Sequence, residues 1–164
     1  MVTDMDVKEN SILRKYWSKP IAKGVLINGS EANGLARQIV DDFGVSTPST
    51  RTPVKNLSGG NMQKLLMGRE LSNSPQVVVV MHPTWGLDVA ATRYVRERLL
   101  ERRENGAAIF LVSEDLDELI ALSDRLAIMF KGKFMGIVDD PESAPLEKIG
   151  LMMAGLGLSE AFGK

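Results

Sequence analysis

Residues 77–88 read Val-Val-Val-Val-Met-His-Pro-Thr-Trp-Gly-Leu-Asp, and this stretch decides the fold class. Four consecutive β-branched residues are apolar on both faces of a strand, the pattern of a buried parallel strand rather than a half-exposed one. The run predicts a strand over 76–81. Asp88 stands where it can cap a helix over 89–104, whose outer face, RERLLERRE, is laced with opposite charges. Working outward, the pattern predicts a helix over about 60–71, closed by Asn73-Ser74-Pro75, a strand over 107–112, a helix over about 116–122 and a strand over 126–130. Lys131-Gly132 is a two-residue turn signal leading into 133–138, so the last two strands read as a hairpin. Strands alternating with helices imply an α/β core with a parallel sheet.

The flanks have a different texture. Residues 1–57 are punctuated by Pro20, Gly24, Gly29, Gly34, Gly44, Pro48 and Pro53, with helices expected at 12–17 and 32–43. Leu35, Ile39, Val40 and Phe43 recur at a spacing that lines one helix face. Segment 44–57 is a Pro/Ser/Thr loop that cannot hold a long helix across two prolines. Residues 139–164 are rich in Gly and Pro, with one short helix expected near 146–153 in a tail or lid of low order. The division is therefore 1–57, a helical part; 58–138, the α/β core; and 139–164, a tail.

At 164 residues the chain is the size of one ordinary domain. Hydrophobic residues at 44% and charged residues at 25% argue against a disordered, collagenous or coiled-coil protein. Lys and Arg number 20 against 21 Asp and Glu, a net charge of −1, so no global positive field draws nucleic acid or anionic lipid, and any anion site must be local. With no cysteine and one histidine, disulfide frameworks and thiolate metal sites are excluded. The longest apolar runs are far short of the ~20 residues that span a bilayer. No signal peptide is visible at the start.

Chemistry concentrates at Asn56-Leu57-Ser58-Gly59-Gly60-Asn61-Met62-Gln63-Lys64. Ser58 can cap the following helix, two glycines let a ligand approach bare backbone N–H groups, and the helix turns its positive dipole end outward. Those are the parts of a phosphate site. Taken alone, the same residues are equally compatible with a flexible Ser-Gly-Gly linker.

Three segments in register change that balance: 56–64, then 77–88, then Leu111-Val112-Ser113-Glu114-Asp115 followed by Ser123-Asp124-Arg125. Their order and spacing resemble the C-terminal half of an ATP-binding cassette (ABC) ATPase. The first resembles the signature motif, with Asn61 in place of Gln; the second resembles Walker B and the D-loop (Gly86, Leu87, Asp88); the third resembles the switch-histidine loop. The likeness covers about residues 5–140 and is closest to the ATPase subunits of sugar and nucleoside importers. It implies a partial P-loop NTPase core preceded by a helical subdomain that docks on a permease.

Departures from the family pattern carry as much information. No Gly-x-x-x-x-Gly-Lys-[Ser/Thr] loop occurs in the 164 residues. The resemblance therefore implies the end of a second cassette, beginning after its phosphate loop. Met81 stands where the family has the aspartate that orients Mg²⁺, and a thioether is a poor ligand for a hard cation. His82 stands at the catalytic glutamate and Glu114 at the switch histidine, where a carboxylate repels phosphate. A packed or solvated His82 and a Glu114 that favours the dipole of the next helix are the bland readings of those two positions.

The resemblance thus implies a half-site with no catalytic residue or metal ligand of its own, and a signature motif that works in trans. Ser58, Gly59, Gly60 and Asn61, with Gln63 at the edge, are expected at the γ-phosphate of ATP held with Mg²⁺ by a partner cassette, and Asp88 at a cross-dimer contact. Implied partners are a second cassette and transmembrane permease subunits at the inner face of the plasma membrane, on the cytoplasmic side, and no nucleic acid. Loss of the strand that feeds the phosphate loop implies an exposed apolar edge beside 107–112 and self-association of the isolated chain. Trp85 is expected to be partly buried against the D-loop, and the nine methionines to fill core. Alternatives are a non-catalytic module that couples to the permease and an unrelated regulatory α/β domain.

Overall fold

Asp6 and Glu9 start the first helix with reciprocal bonds: the Glu9 N–H donates to Asp6 Oδ1 at 2.7 Å and the Asp6 N–H to Glu9 Oε2 at 2.9 Å. This capping box places α1 at Val7–Ile12, ahead of the helix expected at 12–17, where the chain instead makes turns. The computed structural model describes residues 1–163, which form two units.

One unit holds Met1–Val79 and Pro83–Phe110. After α1 comes a short antiparallel hairpin, β1 (Ala22–Lys23) and β2 (Leu26–Ile27), which the sequence pattern did not suggest. Then follow α2 (Gly29–Asp42), a 3-10 turn at Val54–Asn56, α3 (Gly59–Leu71) and α4 (Val89–Glu104). Helix α1 packs on α2 and α3, α2 on α3, and α3 on α4. Each contributes one apolar stripe: Ala32, Ala36 and Ile39 from α2, Leu65 and Leu71 from α3, and Ala91, Val95 and Leu99 from α4, all buried. Gly68 permits the close approach of α2 and α3, since a Cβ there would lie 2.5 Å from Ile39 Cγ2. Buried Asn10 holds the N-terminal segment: its amide donates to the carbonyls of Val2, Met5 and Asp6 and its oxygen accepts from the Val2 N–H.

Strand β3 (Val77–Met81) pairs with β4 (Ala108–Val112). The Ala108 N–H donates to Gln76 O and the His82 N–H to Val112 O, each at 2.8 Å, so both strands advance in the same direction. The expected parallel pairing is present, but the expected burial is not. Val77, Val79, Met81 and Phe110 are exposed, and burial alternates along β3. A run apolar on both faces needs a layer on each side, and among the described residues this sheet has two strands and one uncovered face.

The other unit holds Val80–His82 and the chain from Leu111 onward. It contains α5 (Leu116–Leu122), the antiparallel hairpin β5 (Leu126–Phe130) and β6 (Lys133–Val138), α6 (Leu146–Met153) and α7 (Leu158–Phe162). Lys131 and Gly132 turn the hairpin with φ of 46° and 76°, the positive pair that a two-residue turn of the primed class requires.

Residues 139–163 are not a low-order tail. Ile149 and Met152 are fully buried with Leu126, Ile128 and Val138 in one apolar core, and α7 adds Ala161. The fit is close: a Cβ on Gly136 would meet Leu158 Cβ at 2.7 Å, and one on Gly155, whose φ is 107°, would meet the Phe130 ring at 2.7 Å. The sequence pattern contains α6 but not α7, which is one turn long and carries too few residues for periodicity to register.

Candidate functional site

Ser58 sits at the start of α3 with its backbone extended. Its Oγ accepts from the Asn61 N–H at 3.4 Å and from Asn61 Nδ2 at 2.9 Å. Asn61 Oδ1 in turn accepts from the Ser46 N–H at 2.7 Å. Both ends of the Asn61 amide are therefore engaged inside the chain, and the residue fixes Ser58 against the loop that precedes α3. The Ser58 hydroxyl proton has no acceptor among the described residues, and Ser58 and Gly59 are exposed. The first backbone N–H groups of a helix lack intrahelical acceptors, which leaves those of Gly59 and Gly60 as donors beside that hydroxyl.

The segment Pro83–Asp88, expected to be the D-loop, lies against the flank of α3. Gln63 Nε2 donates to Pro83 O at 2.8 Å. Asp88 caps α4, accepting from the Ala91 N–H at 2.8 Å. A Cβ on Gly60 would meet Ala91 Cβ at 3.1 Å and approach Asp88 Oδ2 at 4.0 Å, so Gly60 is needed for this packing as well as for backbone access. The sequence shows a glycine at 60 but not the helix that crowds it. Gly86 turns the segment with a φ of 71°, Leu87 is half-buried, and Asp88 is exposed. Trp85, expected to be partly buried, is 88% exposed. The Pro83–Gly86 turn places it outside the packed faces.

Tyr94 stands further along α4, between two cations. Lys64 Nζ lies 4.9 Å and the Arg98 guanidinium 5.5 Å from its ring centroid. Burial, with Glu101 and Asp42 nearby, raises its hydroxyl pKa, and Arg98 opposes that shift, so the phenol stays neutral. The Lys64–Tyr94 contact joins α3 to α4.

The three departing positions lie in the other unit. Met81 ends β3 with 67% of its surface exposed. His82 follows with φ at 46°, half-buried, its N–H held by Val112 O. Glu114 is exposed in a bend before α5, where Asp115 is the cap and accepts from the Glu118 N–H at 3.0 Å. Glu114 therefore precedes the first helical turn instead of lying in it. Among the described residues no group of three or more His, Cys, Asp or Glu is placed to hold a metal ion. One thioether and one imidazole do not suit Mg²⁺, so the donor set at the end of β3 does not fit that ion.

Comparison with known proteins now decides the family. The guanosine import ATP-binding protein NupO of Bacillus subtilis is 40% identical over 162 residues, which cover 98% of this chain and 31% of that protein. The nucleoside import ATP-binding protein NupA of Lactococcus lactis is 35% identical over 160 residues, with the same coverage of 98% and 31%. The chain is a homologue of sugar and nucleoside import ATP-binding proteins. The sugar side of that group is represented by the glucose import ATP-binding protein TsgD13 of Haloferax volcanii, 37% identical over 94% of this chain and 28% of its own length. The chain thus spans about a third of the length of the relatives it matches.

Solved ABC cassettes share the fold. A dimeric cassette in a post-hydrolysis state with ADP and Pi superposes with a TM-score of 0.69 at 20% identity, over 85% of this chain and 58% of that one. A nucleotide-free cassette gives 0.69 at 20% identity over 99% of this chain and 64% of that one. The P-loop NTPase core is therefore present in part. No protein-family profile matches the chain. Among the described residues no helix is long and apolar enough to cross a membrane.

Proposed function

We propose that this chain is the C-terminal part of a nucleotide-binding cassette of a sugar or nucleoside importer, and that it completes the ATP site of a partner cassette through its signature loop. The observation that carries the reading is the exposed start of α3, where a donor-ready Ser58 hydroxyl and the N–H groups of Gly59 and Gly60 share one surface, braced by Asn61 and by Gln63 on Pro83. These donors suit the terminal phosphate of ATP bound with Mg²⁺ elsewhere, on the partner. Asp88, on the D-loop beside Gly60, is the residue for the cross-dimer contact. Met81, His82 and Glu114 contribute no acid, base or metal ligand. The permease is the second partner, reached at the cytoplasmic face through the helical part, residues 1–57. The deciding experiment is substitution of Ser58 in the assembled importer, with transport-coupled phosphate release as the readout.

The chain by itself is expected neither to hydrolyse ATP nor to bind Mg-ATP tightly. Dipole and backbone donors at an exposed helix start contribute ~0.3–1 kcal/mol each. Micromolar affinity needs about 8.2 kcal/mol. Calorimetric titration with Mg-ATP is expected to give no measurable heat at micromolar concentration, and a submicromolar constant overturns the assignment of the principal site to the partner.

The isolated chain is further expected to self-associate through the β3–β4 sheet. Val77, Val79, Met81 and Phe110 expose apolar surface on a two-stranded sheet whose outer edges carry unpaired ladder groups. Sedimentation at high micromolar concentration is expected to show concentration-dependent dimers that Val79→Lys shifts toward monomer. A monomer throughout counts against this surface.

A further inference from the structure

Three polar side chains in the first two turns of α3 each hold a different neighbour. Asn61 Oδ1 accepts from the Ser46 N–H at 2.7 Å, Gln63 Nε2 donates to Pro83 O at 2.8 Å, and Lys64 Nζ donates to Gly44 O at 3.3 Å. Asn61 and Lys64 are three residues apart, so they share one flank of the helix, and both engage the backbone of residues 44–46. That segment is itself fixed to the end of α2. The Gly44 N–H donates to Asp41 O at 3.3 Å, the Val45 N–H donates to Val40 O at 2.9 Å, and Val45 is buried. Gly44, with φ at 58°, is the left-handed residue just past the helix, where a lysine satisfies a carbonyl and meets the negative end of the helix dipole.

Lys64 differs from the other two in having a second contact, on the opposite side. Its Nζ lies 4.9 Å from the ring centroid of Tyr94 on α4. The Tyr94 hydroxyl is buried with no hydrogen-bond partner among the described residues, so the ring rather than the hydroxyl accounts for its place between Lys64 and Arg98. Among the described residues Lys64 has no carboxylate within ion-pair distance, although its side chain is half-buried. An ammonium bound to a carbonyl on one side and to a ring face on the other has its position defined from two directions.

Ser58, Gly59 and Gly60 lie within two helical turns of Lys64 on the same helix start. Donors to a phosphate act only where they are aimed, and a misplacement of about 1 Å costs on the order of a hundred-fold in rate. We propose that Lys64 is a positioning residue for these donors: it sets the start of α3 between the end of α2 and α4 and does not itself meet nucleotide. Of Asn61, Gln63 and Lys64, only Lys64 reaches both neighbours. The role rests on the reading of the signature loop as the part that completes a partner's ATP site, and it names the residue that aims that loop.

The experiment uses the assembled importer, with phosphate release followed over a range of Mg-ATP concentrations. Lys64→Met keeps the length of the side chain and removes the charge. It is expected to lower kcat roughly ten- to a hundred-fold while KM for Mg-ATP stays within about two-fold, because the nucleotide is held by the partner cassette. Lys64→Arg, which also donates to a carbonyl and stacks on a ring, is expected to keep kcat within about three-fold of the original. Tyr94→Leu is expected to reproduce part of the kcat loss, again at constant KM. Independently of activity, amide exchange at Ser46 is expected to rise on the order of ten-fold in Lys64→Met, as the flank of α3 that holds this N–H loosens. Ser58→Arg, measured alongside, separates the two proposals. If it abolishes hydrolysis while Lys64→Met leaves kcat within about two-fold, the signature loop acts in trans and Lys64 does not position it. If Ser58→Arg has no effect, the reading in trans fails and the role of Lys64 falls with it. A lower melting temperature or poorer assembly of Lys64→Met, with unchanged kcat in the importers that remain, would make the lysine merely structural, and a raised KM at constant kcat would place it on the nucleotide; either result overturns the proposal.

Discussion

Replacing Ser58 with Arg in the assembled importer is expected to reduce transport-coupled ATP hydrolysis by two to three orders of magnitude, while His82→Ala leaves it within a few-fold. Ser58 Oγ takes both the N–H and the amide of Asn61, so arginine removes the cap of α3 and the bond that ties Ser58 to Asn61, the residue that holds the Ser46 N–H. On the proposed reading it also sets a long cation where a partner's terminal phosphate would approach Gly59 and Gly60. Loss of one positioned donor to a developing charge typically costs ~10²–10³ in rate. His82 is different in kind. Its backbone N–H is held by Val112 O, which alanine retains, and the neighbouring Met81 offers no ligand for Mg²⁺. Steady-state phosphate release from both variants, with permease and binding protein present, reads the asymmetry directly. A collapse at His82 with Ser58→Arg unaffected would sink the proposal that the signature loop acts in trans beside a degenerate half-site.

How legible the protein is in its sequence depends on how local the governing physics is. From Ser58 to Val138 every helix and strand is written in residue order, because caps such as Ser58, Asp88 and Asp115 and the Lys131-Gly132 turn act within a few residues of themselves. The start of α1 is equally local: Asp6-x-x-Glu9 is a capping box that precedes the apolar pattern at 12–17, and that pattern alone places the helix too late. Burial is not local. The valines of β3 describe what could cover them, and only the fold shows that one face is bare. The candidate site divides along the same line. Ser58, Gly59 and Gly60 stand out in the sequence as a helix start with open backbone, whereas the bond from Ser46 to Asn61 and the crowding of Gly60 by Ala91 join residues 15 and 31 positions apart. No spacing rule reports them.

The tail is where sequence and fold differ most, and two adjacent methionines test the difference. Met152 has no exposed surface and lies in the core with Ile128, Val138 and Ile149, one methyl of it 3.1 Å from where a Gly136 side chain would begin. Met153, next on the same helix, is 46% exposed. Truncating a fully buried methionine to alanine costs about 2–5 kcal/mol, through lost transfer free energy and the cavity left behind. An exposed substitution with good helix propensity stays within about 0.5 kcal/mol. Because ~1.4 kcal/mol is a factor of ten, Met152→Ala is expected to speed amide exchange in β5 and β6 by roughly thirty-fold to several thousand-fold, while Met153→Ala changes it by less than about three-fold. Both strands are needed in the readout, since Met129 pairs with Phe134 and Phe130 with Lys133 beyond the irregularity after Ile128, and a loosened α6 must weaken the hairpin on both sides of it. Equal, small effects from the two substitutions would mean that residues 139–163 hang from the hairpin as the low-order tail their composition suggests. A large effect confined to Met152 means that this segment is the second layer without which β5 and β6, a lone two-stranded hairpin, could not remain folded in water.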